Sequence, residues 1–170
     1  MGPSMSVCRA LLSATVASAC TLSLAAPLRH NYDLKNVLWK LSFSMEKGSI
    51  AGDVTNTVTF EEDSPSVQFH CSQLNVSSVT VNGVRATFNT LDDKLTVQLP
   101  KPAKRGKTVH VRAIYTGNPT NGFFFVPASR AFPAKTGMVY TQGQGEDNHF
   151  WLPTYDYPDD KATHESYITA

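Results

Sequence analysis

The chain has 170 residues, a length typical of one domain with a substantial hydrophobic core. It carries 15 basic and 14 acidic side chains, so its formal net charge is +1, which argues against a nucleic-acid-binding protein or an anionic-membrane partner. The densest basic cluster is interrupted by proline and glycine and is typical of a solvated turn; it consists of Lys101, Lys104, Arg105 and Lys107.

The N-terminus has the pattern of a targeting segment. Arg9 supplies a positive charge before an apolar stretch, residues 10–20, that is too short to span a bilayer. Small residues follow, which predicts cleavage near Ala25 or Ala26. We therefore predict a signal peptide over residues 1–26 and export of the remaining chain to the periplasm or the cell exterior.

The predicted exported domain, residues 27–170, retains one of the three cysteines. This residue, Cys71, cannot form an internal disulfide, and it lies on the apolar side of an alternating run, which predicts a buried, unreactive thiol. Lipid attachment at Cys20 stays open as an alternative to a freely exported domain. The sequence predicts no transmembrane segment.

After residue 30, apolar residues recur at every second position, which is the period of a β-strand with one buried face. Two long strands are predicted over residues 37–46 and 50–60, separated by a turn at Gly48. Shorter strands are predicted over residues 67–71, 79–81, 84–88, 94–99, 109–115, 122–126 and 138–142.

Turn signals separate these strands. Asn82-Gly83 predicts a hairpin, because asparagine and glycine tolerate the positive φ angles of a two-residue turn. Pro100 and Pro102 are expected to end the strand before them, since proline cannot donate to a strand ladder. No stretch after the targeting segment sustains a helical period, so the sequence predicts an all-β fold, an antiparallel β-sandwich.

We find no motif for a metal site or a catalytic nucleophile in the sequence. His164-Glu165 resembles the start of the HExxH zinc motif, but Ile168 occupies the position of the second histidine. Asp156, Asp159 and Asp160 lack the glycine and the spaced ligands of a calcium loop, which favours turn capping. No GxSxG motif is present, so no catalytic residue and no metal ligand is predicted in this chain.

Residues 140–163 differ from the preceding strands in their density of glutamine, glycine, aromatic and acidic residues. Gln142 and Gln144 lie two apart on what begins as a strand, so their side chains point the same way unless Gly143 bends the backbone. Their amide oxygens can accept hydrogen bonds from an ammonium group. The alternative is that these amides bond neighbouring loops, which is the more common use of half-buried amides.

Short motifs along the chain resemble those of a known family. Thr141-Gln142-Gly143-Gln144, then PTYDYP at 153–158 and KATH at 161–164, resembles the end of the N-terminal β domain of aminopeptidase N-type zinc metallopeptidases (gluzincin aminopeptidases), which include leukotriene hydrolase. Gly48 to Val58 is similar to the family's second strand, G-x-I-x-G-x-V-x-I. Tyr32-Asp33, residues 79–83 and residues 122–126 are similar to its opening, its hairpin and its GLYF element.

This resemblance implies a saddle-like β-sandwich that packs on a thermolysin-like catalytic domain. It implies that Gln144 contacts the free α-amino group of a peptide substrate, with Gln142 beside it. In the family, zinc and the chemistry belong to the catalytic domain, through its GxMEN loop and HExxH helix. The chain as written is therefore expected to need no cofactor of its own and to be inactive alone.

The sequence departs from the family pattern at Thr154, where cysteine is common, and at His164, where an aromatic residue is usual; we expect the first to alter packing only. The chain also stops at Ala170, before the zinc ligands, which predicts a truncated product. Two other functions stay open. One is a stand-alone β-sandwich that binds a peptide or a partner protein; the other is carbohydrate binding on a platform of Phe150, Trp151, Tyr155 and Tyr157.

Overall fold

The structure, a computed structural model, describes residues 27–129 and 137–169, so the predicted signal peptide and Cys20 lie outside the described residues. Within that part, the chain forms eleven strands and one 3-10 helix, Asn148–Phe150. The strands are β1 Tyr32–Ser44, β2 Ser49–Phe60, β3 Ser64–His70, β4 Leu74–Val81, β5 Val84–Arg85, β6 Phe88–Leu91, β7 Lys94–Ala103, β8 Thr108–Gly117, β9 Phe123–Val126, β10 Met138–Thr141 and β11 Thr163–Thr169. None of the described residues belongs to a helix long and apolar enough to cross a membrane.

The strands form three sheets. A six-stranded sheet has the order β11-β1-β2-β8-β4-β5, a three-stranded sheet has the order β3-β7-β6, and β9 pairs with β10. These pairs are antiparallel except β1 and β11, which run parallel with Val37 opposite His164. The predicted all-β fold with antiparallel sheets is confirmed, and the parallel pairing of the last strand is an addition to it.

One hydrophobic core includes residues of both larger sheets. Val54 and Val58 of β2 are fully buried, as the alternating pattern predicts, and Phe69 of β3 and Val97 of β7 belong to the same core. Cys71 lies in this core, where burial raises the pKa of its thiol to about 12. The predicted buried cysteine is therefore confirmed, and its thiol is held in the neutral, unreactive form.

The hairpin predicted at Asn82-Gly83 is confirmed, because both residues have positive φ and Val81 pairs with Val84 on either side. The strand predicted over 84–88 is wrong. The chain changes sheets there: β5 ends at Arg85 in the six-stranded sheet, and β6 begins at Phe88 in the three-stranded sheet. An alternating pattern does not distinguish one strand from two consecutive strands with inward faces on the same core.

The prediction that Pro100 and Pro102 end their strand is also wrong, because β7 continues through both to Ala103. The ladder between β3 and β7 passes directly from the Ser66–Gln98 pair to the Ser64–Ala103 pair. Residues 99–102 therefore form a bulge in which no N–H is required, so the prolines are accommodated.

Candidate functional site

The segment that connects β10 to β11, residues 142–162, is attached to the core through buried hydrogen bonds. Asn56, buried in the centre of β2, donates from Nδ2 to the carbonyl of Pro153 over 3.0 Å. Its Oδ1 accepts from the hydroxyl of Thr154 over 2.8 Å. Thr154 therefore does more than alter packing, which corrects the expectation for this position. Its hydroxyl donates to the buried amide oxygen of Asn56, and that oxygen would destabilise the fold if it had no donor.

Aromatic residues of the connecting segment face inward. Trp151 is 5% exposed and lies edge-on to Trp39, with ring centroids 5.4 Å apart. Tyr155 is 7% exposed and stacks on His30 at 3.7 Å. Two of the four rings of the hypothetical carbohydrate platform are thus inaccessible, and the structure removes the basis of that alternative.

The two predicted recognition residues lie together at the start of the segment. Beyond the end of β10, the Gln142 backbone N–H donates to the carbonyl of Gly122 over 2.9 Å. The Gln142 side chain then approaches that of Gln144, with Nε2 and Oε1 3.5 Å apart, and both residues are exposed. The side chains face each other across Gly143, although the strand itself ends at Thr141. We call them the glutamine pair.

A buried carboxylate fixes the backbone beneath the glutamine pair. Asp156, whose side chain is 3% exposed, accepts from Asn148 Nδ2 over 2.8 Å and from the His149 backbone N–H over 2.9 Å. His149 Nδ1 lies 2.8 Å from the same carboxylate. Asn148 in turn lies against Gly143, where an added Cβ would come within 2.4 Å of its Oδ1. We call Gly143, Asn148, His149 and Asp156 the aspartate clamp.

The pKa of Asp156 reflects two opposing effects. Burial raises it, and the hydrogen bonds from His149 and Asn148 lower it by more, so the pKa lies below its ordinary value. Asp160 also connects distant parts of the chain, since it accepts from the Leu34 backbone N–H over 2.8 Å. The prediction that these aspartates cap turns is wrong for Asp156 and Asp160, because their partners are 7 to 130 residues away.

Gln144 of the glutamine pair borders a cleft of about 480 Å³. Gln144, Glu146, Asp156 and Tyr157 line it, so its polar atoms are predominantly oxygen acceptors. Such a lining suits a ligand that carries N–H donors and a positive charge, such as an ammonium group. The sequence predicted the two glutamines, whereas the contribution of Glu146 and Asp156 depends on the turn at Gly143–Gly145 and was not predicted.

The structure brings three of the scattered histidines close together: His30 and His70 contact Tyr155, and His149 lies beside His70. The His70 and Tyr155 ring centroids are 5.6 Å apart, and those of His70 and His149 are 5.8 Å apart. His70 Nδ1 accepts from the Asp156 backbone N–H over 3.0 Å, so the neutral ring carries its proton on Nε2. Burial first, and then the neighbouring His149, lowers the pKa of His70 to about 4.

We expect His70 to make the domain less stable in mild acid. Its pKa is lower in the folded than in the unfolded chain, so the unfolded state takes up a proton first as the pH falls from about 6.5 to 4. About 2 kcal/mol of stability should be lost at pH 5 relative to pH 7. Urea unfolding at both pH values measures the loss. His70→Asn keeps an acceptor for Asp156 and should lose less, whereas equal losses would contradict this role.

Within residues 27–129 and 137–169, no group of three or more His, Cys, Asp or Glu residues is placed to hold a metal ion. His164 lies on β11 with an exposed side chain. The described residues thus do not form a zinc site, and no chemical step is assigned to them through zinc.

The sequence of this β domain matches the model of a known family. The family model described as Peptidase M1 N-terminal domain matches residues 27–170, and the chain therefore belongs to that family. A comparison with curated protein sequences gave no match.

Solved structures of M1 zinc metallopeptidases have the same fold. A variant of a two-domain M1 zinc metallopeptidase bound to L-tryptophan is 25% identical, with a TM-score of 0.70 over 83% of this chain and 33% of its own. The M1 zinc metallopeptidase of Deinococcus radiodurans is 24% identical, with the same TM-score and coverage. Native leukotriene A4 hydrolase of Saccharomyces cerevisiae is 18% identical, with a TM-score of 0.70 over 81% and 23%. The chain thus spans about a third of the length of the first two.

Proposed function

We propose that the chain is the N-terminal β domain of an exported zinc aminopeptidase, where it forms part of the wall that recognises the free α-amino group of a peptide substrate. Family membership supports the class of protein. The observation that carries the recognition role is the glutamine pair, whose side-chain amides lie 3.5 Å apart and exposed beside an acceptor-rich cleft.

The geometry supports different roles for Gln142 and Gln144. Gln142 Nε2 donates to Gln144 Oε1, which orients the Gln144 amide and leaves a second lone pair on that oxygen. An α-ammonium group can donate to this lone pair, and the charge on the donor strengthens the bond. Gln144 is therefore the proposed amine contact and Gln142 its support. The aspartate clamp keeps the intervening backbone in place.

The proposed partner is a thermolysin-like catalytic domain in the same polypeptide, which would hold the zinc ion and activate the attacking water. The exposed edge strand β11 supports a contact between this chain and such a domain. All seven of its residues are exposed, and Tyr167 and Ile168 have 56% and 62% of their surface in solvent. Exposed apolar residues on an unpaired strand edge are typical of an interface.

Gln144→Ala is expected to weaken binding of free-amine substrates. The test joins residues 27–170 to the catalytic domain of a two-domain M1 zinc metallopeptidase and measures hydrolysis of an aminoacyl anilide. Loss of one charge-assisted hydrogen bond corresponds to about 1–3 kcal/mol in kcat/KM. Gln98→Ala, at an exposed glutamine on β7, is the matched control. Unchanged KM and kcat in Gln144→Ala would contradict the amine contact.

A second function uses the same cleft, whose lining includes the exposed Gln144 and Glu146. A stand-alone domain would use it to bind a peptide N-terminus or a partner protein without catalysis. Calorimetric titration of the chain with a short peptide and its N-acetylated form separates the two functions. Saturable binding of the free-amine peptide alone favours the stand-alone domain, whereas binding that needs the catalytic domain favours the first proposal.

Export is a separate part of the proposal. N-terminal sequencing of the mature protein should find a new terminus near Ala26. A lipid-modified terminus at Cys20 would instead establish an anchored domain, and an intact Met1 would contradict export.

A further inference from the structure

A second groove lies at the basic cluster, which the proposed function does not use. It has a volume of about 520 Å³ and runs between the β4–β5 hairpin and the chain from the end of β7 to the start of β8. The residues that line it are Val81, Asn82, Val84, Leu99, Pro100, Lys101, Pro102, Ala103, Lys104, Lys107 and Val109.

The floor of this groove is apolar because two sheets separate there. Val81, Leu99 and Val109 are buried at its base, and Val84 at its mouth is 56% exposed. Residues 99–102 of β7 are not paired with β3 between the Gln98 and Ala103 pairs, and β5 ends after two residues, so neither strand extends over the groove. An exposed apolar surface of this kind is costly in water unless a ligand or a partner covers it.

The rim of the groove is positively charged. Lys104 is paired with Asp63, with its Nζ 2.7 Å from the carboxylate. In the part of the chain that the structure describes, the ammonium groups of Lys101 and Lys107 have no ion-pair partner, and the groove has no acidic residue in its lining. An apolar floor beside two unpaired ammonium groups is complementary to an amphiphile with a negative head.

We propose that this groove binds a long-chain carboxylate, with the acyl chain on the apolar floor and the carboxylate between Lys101 and Lys107. A peptide suits the groove less well, because its backbone brings a donor and an acceptor with each residue. Pro100 and Pro102 have no N–H to offer, and Asn82 already bonds His110 through its backbone N–H and its Oδ1. An acyl chain needs no hydrogen bonds.

The groove and the glutamine pair lie on different parts of the fold, so the two proposals fail or succeed separately. The groove adjoins β4 and β5, at one edge of the six-stranded sheet. The connecting segment contacts β1 near the other edge, through the Asp160–Leu34 and Trp151–Trp39 contacts. A ligand in the groove therefore does not need the glutamine pair or a catalytic domain.

The test is a fluorescence titration of the purified full-length chain with cis-parinaric acid, followed by displacement with oleate and with oleyl alcohol. We expect saturable binding with one site per chain and displacement by oleate at lower concentration than by the alcohol. Lys101→Gln/Lys107→Gln should weaken oleate binding roughly tenfold, because two exposed ion pairs are lost. Lys40→Gln/Lys47→Gln removes the same charge from β1 and the following turn and should change nothing.

Val84→Asp provides a second variant, because it places a negative charge at the mouth of the groove and should also weaken oleate binding. The N-terminal segment of the chain is itself apolar, so the comparison is made between variants that share it. Equal binding by all variants would show that the probe adheres elsewhere and would overturn the proposal. So would an absence of saturable binding, including the case in which the chain sediments only with vesicles of phosphatidylglycerol.

Discussion

Gly52→Ala is expected to destabilise the domain by about 3 kcal/mol. Gly52 on β2 is the cross-strand neighbour of Tyr115 on β8, and the tyrosine ring covers the space where a side chain would be. An added Cβ would lie 2.1 Å from the Cζ of that ring. Since Tyr115 is fully buried, the ring has no free volume to move into, and the sheet must distort.

Urea unfolding of the wild type and of the variant measures the effect, with Thr55→Ala on the same strand as the control. A double-mutant cycle makes the cause explicit. Tyr115→Leu removes the ring atoms that clash, so Gly52→Ala should cost clearly less in that background. Additive costs, or a Gly52→Ala variant within about 0.5 kcal/mol of the wild type, would contradict this packing.

Local features of the sequence predicted much of the fold. The alternation along β2 predicted which of its residues are buried, and Asn82-Gly83 predicted a hairpin, because both signals act over a few residues. The change of sheet between Arg85 and Phe88 and the parallel pairing of β11 with β1 depend on which distant strand is adjacent. Neither leaves a periodic signal in the sequence, so neither was predicted.

The sequence indicated which side chains form the candidate site, but not which contacts hold them in place. The spacing of Gln142 and Gln144, together with the family resemblance, indicated the two amides. Their fixation depends on Asp156, which comes 12 residues after Gln144 and which the sequence suggested only as a turn cap. The contacts of a buried carboxylate follow from the path of the whole segment, and that path is set by the attachment of Thr154 to Asn56.

Asp156→Ala should destabilise the domain by about 3 kcal/mol and loosen the glutamine pair. The substitution leaves the Asn148 amide, the His149 backbone N–H and the His149 ring without the carboxylate they share. Hydrogen bonds to a charged group contribute more to stability than bonds between neutral groups, and a buried donor left without an acceptor adds a further cost. Because the pKa of Asp156 is lowered in the folded chain, its contribution is present above pH 4 and is lost as the pH falls below that value.

Two measurements distinguish this role from general destabilisation. The difference in unfolding free energy between the wild type and Asp156→Ala should be largest at pH 7 and should narrow toward pH 3. Hydrogen exchange should accelerate at the Gln142 N–H, which donates to Gly122, more than at amides of β2. Asp147→Ala is the control, because Asp147 precedes the same 3-10 helix and makes no side-chain cap hydrogen bond. If Asp147→Ala and Asp156→Ala had the same effect on Gln142, the clamp would not be what positions the glutamine pair, and the order of Gln144 would have to come from the partner that covers it.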